Sequence, residues 1–444
     1  MNKIIVKMQR KHRLEQGHPW VFKNEIAEVC GTPDFGEVVD VYNHKDVFLA
    51  RGFFNPKSQI AVRILTYRQV EIDQQFFLER IRQAWEYRTR LLPNVHACRA
   101  IFGEADFLPG LVVDKFGDVL VLQILSYGME KHKVWLIEAL QQVFAPRGIY
   151  ERNDVPVREL EGLPLQSGFL TQPFDTAVEI VENDLKLIVD VAEGQKTGYF
   201  FDQRENRAAI APLMQGWGTR HGIILQPAAV DGTLLGEGGT PLTDEQGEQV
   251  SLPFDSKGKV VKNPFWDGAE VLECFAHTGA FTLNACKFGA KKVTCLDISE
   301  QAIASARRNV TLNGFLHRVD FVTANAFDYL RASVKEEKSW DVVILDPPAF
   351  AKSRSALNGA ERGYKDINLH GMKLVRDGGF LVTASCSFHL SKEHFLQIIR
   401  AAAADAKKIL RLVELRAAGK DHPILLASEE SDYLKFAIFE VRDR

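Results

Sequence analysis

From about residue 268 almost to its end, the chain alternates short apolar runs with helical patterns. EVLECF, KVTCLD, VDFVTA, DVVILD and FLVTAS are strand-length and nearly all apolar, and helix-period stretches follow at about 280 to 288, 299 to 312, 326 to 337, 361 to 376 and 391 to 406. Strands apolar on both faces and separated by helices are satisfied by a parallel sheet with helices on both sides. The last two runs, about 409 to 416 and YLKFAIFEV, lack a helix between them and suit an antiparallel hairpin at the sheet edge.

That pattern leaves more than half of the 444 residues unexplained, and a chain of this length exceeds what one core usually supports. Residues 1–70 carry short alternating segments (GEVVDVYN, VFLARGFFN, SQIAVRILT) broken by Gly, Pro and Asn, which predict a small antiparallel β domain. Residues 71–190 open with an amphipathic helix over 72 to 92, with Phe76, Phe77, Ile81, Ala84 and Trp85 on one side and Pro93 stopping it. The strands GLVVDKF, VLVLQIL, GIYER, AVEIVEN and LKLIVDVA follow around a helix at 130 to 143, a β-rich α+β unit. The third unit is 191–444, in which 215–265 is a turn-rich insertion read as neutral decoration, with a lid or RNA contact as the alternative.

The longest apolar runs fall short of the ~20 residues that span a bilayer, and MNKIIVKMQRKHR has no signal core, so the sequence predicts a cytoplasmic protein without a membrane partner. Six cysteines without a CxxC pair suggest neither a disulfide framework nor a zinc cluster. The net charge of −3 hides a basic N-terminal part, since residues 1–100 hold 16 Lys or Arg against 11 Asp or Glu. KMQRKHR and Arg80, Arg82, Arg88 and Arg90 suit either phosphate contacts or a solvated face. The sequence leaves open whether the chain is a monomer or a homodimer.

In an open α/β sheet, ligands bind beyond the carboxyl ends of the strands. Five loops lie there. FAHTGAFT turns at Thr278 and Gly279 into a helix whose amides can hold an anion, and it lacks the GxGxxG of dinucleotide enzymes. Asp297 ends KVTCLD eighteen residues after Gly279, suited to ribose hydroxyls or, alternatively, to capping the next turn. Asn325, Ala326 and Phe327 offer a polar edge and an aromatic face. In LDPPAF the prolines make a rigid turn that presents Asp346. The fifth loop is Ser385-Cys386-Ser387, where a thiol between two hydroxyls ends a strand.

In this order the loops resemble the class I S-adenosylmethionine-dependent methyltransferase fold. HPWVFKNEI, RGFFNPKSQIAVRIL, GEADFLPGLVVDKFGD, YERND, VRELEGL, GQKTGYFFDQRENR, DPPAFAKS, RGYKDIN, SCS and YLKF further resemble the PUA-domain ribosomal RNA large-subunit methyltransferase family, including its cytosine-carbon-5 enzymes. The resemblance covers nearly the whole chain apart from 215–265. It implies a PUA RNA-binding domain, a central RNA-seating domain, a Rossmann-like catalytic domain, ribosomal RNA as partner and S-adenosylmethionine as cofactor. It also implies cofactor-facing roles for Thr197, Tyr199, Phe200 and Arg204, joined by Phe275, Thr278, Gly279, Asp297, Asn325, Ala326, Phe327 and Asp346. Asn325 departs from the Asp more usual there, which would weaken an adenine contact.

Methylating carbon 5 of cytosine requires a thiolate, because the ring carbon is a poor nucleophile until a nucleophile adds at carbon 6. Cys386 is the candidate, with Asp346 engaging the ring as charge builds. Cys274, Cys286 and Cys295 read as core, and Cys30 and Cys98 lie outside the catalytic domain. His389 and Asp421 to Pro423 are open candidates for the proton-removing base. Lys352, Arg354, Arg362 and Lys365 suit either an RNA backbone or a plain surface loop. Methylation of a base nitrogen, or a non-catalytic RNA-binding role in ribosome assembly, are the competing functions.

Overall fold

The computed structural model describes the chain except residues 1, 9–12, 93–94, 216–232, 236–238, 244–245, 250–267 and 352–353. Most of the 215–265 segment, part of KMQRKHR and Lys352 therefore lie outside the described residues, as does the side chain of Arg354. Two compact units emerge, 1–205 with 417–433, and 206–416 with 434–444. The sequence reading assigned 191–205 and 417–433 to the third domain, whereas their contacts place both in the first unit.

The first unit opens with a six-stranded sheet in the order Trp20–Phe22, Ile60–Thr66, Phe48–Phe54, Val38–Tyr42, Lys3–Val6, Ile26–Cys30. Its alternating residues send Ile4, Val6, Val39, Val41, Val62 and Ile64 into one core. Gly52 is required there, because a Cβ at that position would lie 2.2 Å from the Arg63 carbonyl oxygen of the adjacent strand. The helix Gln74–Leu91 starts where the Asp73 carboxylate accepts the Phe76 amide at 2.8 Å, and it ends two residues before Pro93.

A five-stranded sheet follows in the order Gln166–Phe169, Gly148–Asn153, Val119–Ile124, Leu111–Phe116, Ala97–Phe102, and then a hairpin of Ala177–Glu182 and Leu185–Asp190. The Ala97–Phe102 strand was not expected from sequence. Arg99 interrupts its apolar pattern, and only the structure supplies the mate, Asp114 at 2.8 Å on the next strand.

The second unit is a seven-stranded sheet in the order Val319–Thr323, Lys292–Asp297, Glu270–Cys274, Trp340–Leu345, Val375–Ser385, Lys435–Asp443, Lys408–Arg416. The first five strands run parallel and the last two pair antiparallel, as the sequence pattern requires. The helix expected over 361 to 376 spans Leu357–Leu374, and the next strand begins at Val375. Strand order reverses at Glu270–Cys274, so the crevice forms at the carboxyl ends of this strand and Trp340–Leu345. Among the described residues no helix is long and apolar enough to cross a membrane, and no His, Cys, Asp or Glu cluster could hold a metal.

Candidate active site at the carboxyl ends of the parallel strands

After Cys274 the chain makes three left-handed steps in five residues, at Phe275 (φ 66°), His277 (φ 49°) and Gly279 (φ 75°), before the helix Ala280–Lys287. Left-handed backbone is costly for the bulky Phe275 and for His277, so the surroundings must hold it. The Ala276 amide donates to the Leu296 carbonyl at 3.0 Å, the His277 amide to Asp297 at 2.9 Å, and the Asn309 side chain to the Thr278 carbonyl at 3.1 Å. Gly279 packs against the neighbouring helix so closely that a Cβ would meet that of Ala306 at 2.9 Å.

Asp297 is half-buried, and its second oxygen accepts the Ser299 amide at 2.9 Å. Ser299 in turn caps the helix Glu300–Leu312. Both readings of Asp297 are thus compatible with its geometry, since each carboxylate oxygen has a lone pair beyond the backbone bond it accepts. Asn325 is exposed and caps the helix Ala326–Lys335 by accepting the Phe327 amide at 2.9 Å. Ala326 is buried and Phe327 half-buried.

The Asp346-Pro347-Pro348 turn and the Ser385–Ser387 loop meet. The Cys386 Sγ lies 3.9 Å from the Pro347 carbonyl oxygen, with the thiol half-buried. Asp346 is also half-buried, and Pro347 is buried. The two serines, to which the sequence reading assigned no role, fix this loop. The Tyr364 hydroxyl lies 2.8 Å from Ser385 Oγ and 2.9 Å from Ser387 Oγ. Ser387 Oγ accepts the Ala351 amide at 3.2 Å, and the buried Lys435 ammonium donates to the Ser387 carbonyl at 2.6 Å. Phe350 stands 5.8 Å from Phe327 and 4.7 Å from Tyr364, so aromatic packing joins the third, fourth and fifth loops.

Beneath the loops sits Glu273, 2% exposed, accepting from the Thr282 amide at 2.8 Å and from the Thr282 hydroxyl. Burial pushes its carboxyl up to about 8, against the Thr282 hydrogen bonds and with smaller help from Asp346 and Asp297. Cys30, in the first unit, is half-buried like Cys386, and the other four thiols contrast with both. Cys98, Cys274, Cys286 and Cys295 are buried, and burial lifts Cys98 and Cys286 to about 12.

Thr197, Tyr199, Phe200 and Arg204 belong to the first unit. Thr197 donates to Asp114 at 2.5 Å, Tyr199 donates to Glu182 at 2.9 Å, and Lys196 stands 4.9 Å from the Phe200 ring. Arg204 bonds Asp421 at 3.1 Å and the Ala97 carbonyl at 2.6 Å. Arg88 is fully buried, bonding Asp106 at 2.5 Å and the Asp421 carbonyl at 2.9 Å, so it is a core residue and no phosphate contact. His422 is buried against Asp421 at 2.9 Å, while His389 is exposed. Arg362 is exposed and Lys365 pairs with Asp405 at 2.7 Å.

Sequence reasoning missed Glu273, Tyr364 and Lys435 as site-shaping residues. Each left a signal: an acid inside the apolar EVLECF, a tyrosine in RGYKDIN, and a lysine opening the apolar KFAIF.

The seven-stranded sheet with its one reversed strand and five converging loops is the fold of S-adenosylmethionine-dependent methyltransferases. It aligns with a methyltransferase solved in complex with SAH (TM-score 0.75, 18% identity, 99% of this chain and 100% of that one) and with a SAM-dependent methyltransferase from Streptococcus mutans (0.74, 18%, the same coverage). Residues 4–67 match the PUA-like domain family and residues 259–361 the family described as Conserved hypothetical protein 95. The chain belongs to the ribosomal RNA large subunit methyltransferase I family. It is 38% identical to the member from Shewanella denitrificans and 35% to that from Alteromonas mediterranea, each over 99% of both chains. It is also 35% identical to the member from Escherichia coli O139:H28 over 98% of both.

Proposed function

We propose that the protein is an S-adenosylmethionine-dependent methyltransferase of large-subunit ribosomal RNA that forms 5-methylcytosine through a covalent bond from Cys386 to the base. The observation that carries this reading is the half-buried Cys386 thiol held against the Asp346-Pro347-Pro348 turn, 3.9 Å from the Pro347 carbonyl. A nitrogen methyltransferase has no use for a thiol there.

The donor set fits the cofactor. Asp297 would take the ribose hydroxyls with its remaining lone pairs, Phe327 and Ala326 would cover the adenine beside Asn325, and the loop of Phe275, Thr278 and Gly279 with the helix after it would receive the methionine carboxylate. For Thr197, Tyr199, Phe200 and Arg204, which belong to the first unit, a cofactor-facing role rests on the sequence resemblance alone. S-adenosylmethionine supplies the methyl group on a sulfonium.

Cys386 as thiolate adds to carbon 6 of cytosine, and the electron pair released makes carbon 5 nucleophilic toward the methyl carbon. Asp346 would engage the ring nitrogen and exocyclic amine, its carboxyl sharing a proton with the ring nitrogen as negative charge arrives there. Once carbon 5 is methylated, loss of its proton to a base restores the double bond and expels the thiolate. The Ser385, Ser387 and Tyr364 network fixes the thiol's approach, since a nucleophile displaced by about 1 Å can lose about 100-fold in rate.

Incubating the enzyme with unmodified large-subunit ribosomal RNA and analysing the nucleosides by mass spectrometry tests the reading. The expected product is 5-methylcytosine, absent with Cys386→Ala. A methyl group on a base nitrogen would overturn the thiol mechanism, and no methyl transfer would restore the assembly-factor alternative.

A further inference from the structure

In the first unit a cleft of about 560 Å³ opens where the end of the Ile60–Thr66 strand meets the helix Gln74–Leu91. Tyr67, Arg68, Phe76, Arg80 and Phe107 line it. Among the described residues neither Arg68 nor Arg80 is ion-paired, and the Arg80 guanidinium reaches only the Leu65 carbonyl, at 3.5 Å. The carboxylates on the rim do not compensate. Asp73 caps the helix, Glu79 accepts from the Gln75 side chain at 3.1 Å, and Glu71 is exposed to solvent. Burial and then the charge of Arg68 hold Arg80 below its ordinary pKa. Two like charges sharing a partly buried cleft repel, and an entering anion would relieve the repulsion.

The aromatic side of the cleft carries a second signal. Phe107 has φ 58° and ψ 30°, a left-handed conformation that is an outlier for a bulky side chain and free of strain only for glycine. The ring is nevertheless 44% exposed, so little core burial offsets that cost. What the strained backbone does is hold the ring beside Arg80, 5.3 Å from the guanidinium, with Phe76 5.2 Å away. Tyr67, 39% exposed, stands nearby with its hydroxyl anchored on the His18 carbonyl at 3.1 Å.

We propose that this cleft is a nucleotide subsite for single-stranded RNA, in which Arg68 and Arg80 take a backbone phosphate and Phe107 stacks on a base. The inference rests on the RNA-substrate reading above and specifies where one unpaired segment of that substrate docks. Exposed aromatics beside unpaired cations are the recognition chemistry of unstacked nucleotides, because every base has a π-face and every linkage a charge.

Fluorescence anisotropy of a short, mixed-sequence, fluorescein-labelled single-stranded RNA with the full chain, across a salt series, tests the proposal. Phe107→Gly is expected to weaken binding about tenfold while leaving Tm unchanged or raised, because glycine relieves the strain. Arg80→Gln is expected to weaken it about tenfold and flatten the slope of log affinity against log salt by about 0.7. Binding at the wild-type level by both variants would overturn the subsite and leave the methyltransferase reading standing. A Phe107→Gly protein whose Tm and affinity fall together would overturn it too, by showing that the ring is structural. Failure of the wild-type chain itself to bind the strand at any salt would count against the RNA-substrate reading as well.

Discussion

In the first unit, Arg88 and Arg158 are completely buried and Arg99 and Arg204 half-buried, and each meets a carboxylate: Asp106, Glu130, Asp114 and Asp421 respectively. In the second unit, the buried Glu273 beneath the active-site loops meets a hydroxyl and an amide and, among the described residues, no cation. Buried charge is tolerated when it is paired or neutralised. The first unit pairs its charges to lock strands and helices together, whereas the second holds a carboxyl in its neutral form where the loops converge.

The contrast is broken most severely by removing one partner of a buried pair. Arg88→Ala leaves Asp106 uncompensated and should cost about 3–5 kcal/mol in chemical denaturation; a loss under about 1 kcal/mol would mean the pair is not structural.

The pH dependence should have opposite signs in the two units. Burial would raise Asp421, but Arg204 and His422 outweigh it and hold the carboxyl below its usual range, so the stability it contributes is lost as pH falls. Glu273 has its folded pKa raised to about 8, so it binds a proton in the folded state that the unfolded chain has released, and stability declines as pH rises from the ordinary carboxylate range to about 8. Glu273→Gln should abolish that decline, gaining several kcal/mol at alkaline pH. An unchanged profile in denaturation at several pH values would show that Glu273 is ionised throughout.

The smallest expected effect is that of Tyr364→Phe. Loss of its two serine contacts should cost about 1–2 kcal/mol of stability and lower kcat more than it raises KM, because the loop carrying Cys386 loosens. Steady-state kinetics showing a change in KM alone would assign the tyrosine to substrate binding.

The parallel strands were legible in sequence because burial on both faces leaves an unbroken apolar run, and the carboxyl-end rule then located all five loops. What escaped depends on partners distant in the chain. The Ala97–Phe102 strand was hidden by Arg99, whose mate lies fifteen residues on, and the burial of Arg88 depends on the carbonyl of Asp421, 333 residues away. Ser385 and Ser387 look like any hydroxyls until Tyr364 is placed between them. Thr197, Tyr199 and Arg204 were legible as a motif, but their bonds to Asp114, Glu182 and Asp421 were not.

In the proposed reaction one thiol of the six becomes covalently bound to the base. Intact-mass spectrometry of the enzyme after reaction with S-adenosylmethionine and a ribosomal RNA fragment containing 5-fluorocytosine measures this directly, because fluorine at carbon 5 blocks the elimination that frees the thiol. The expected result is a stable protein–RNA adduct that maps to Cys386 and is missing in Cys386→Ala. No adduct, or an adduct that persists in that variant, would contradict it.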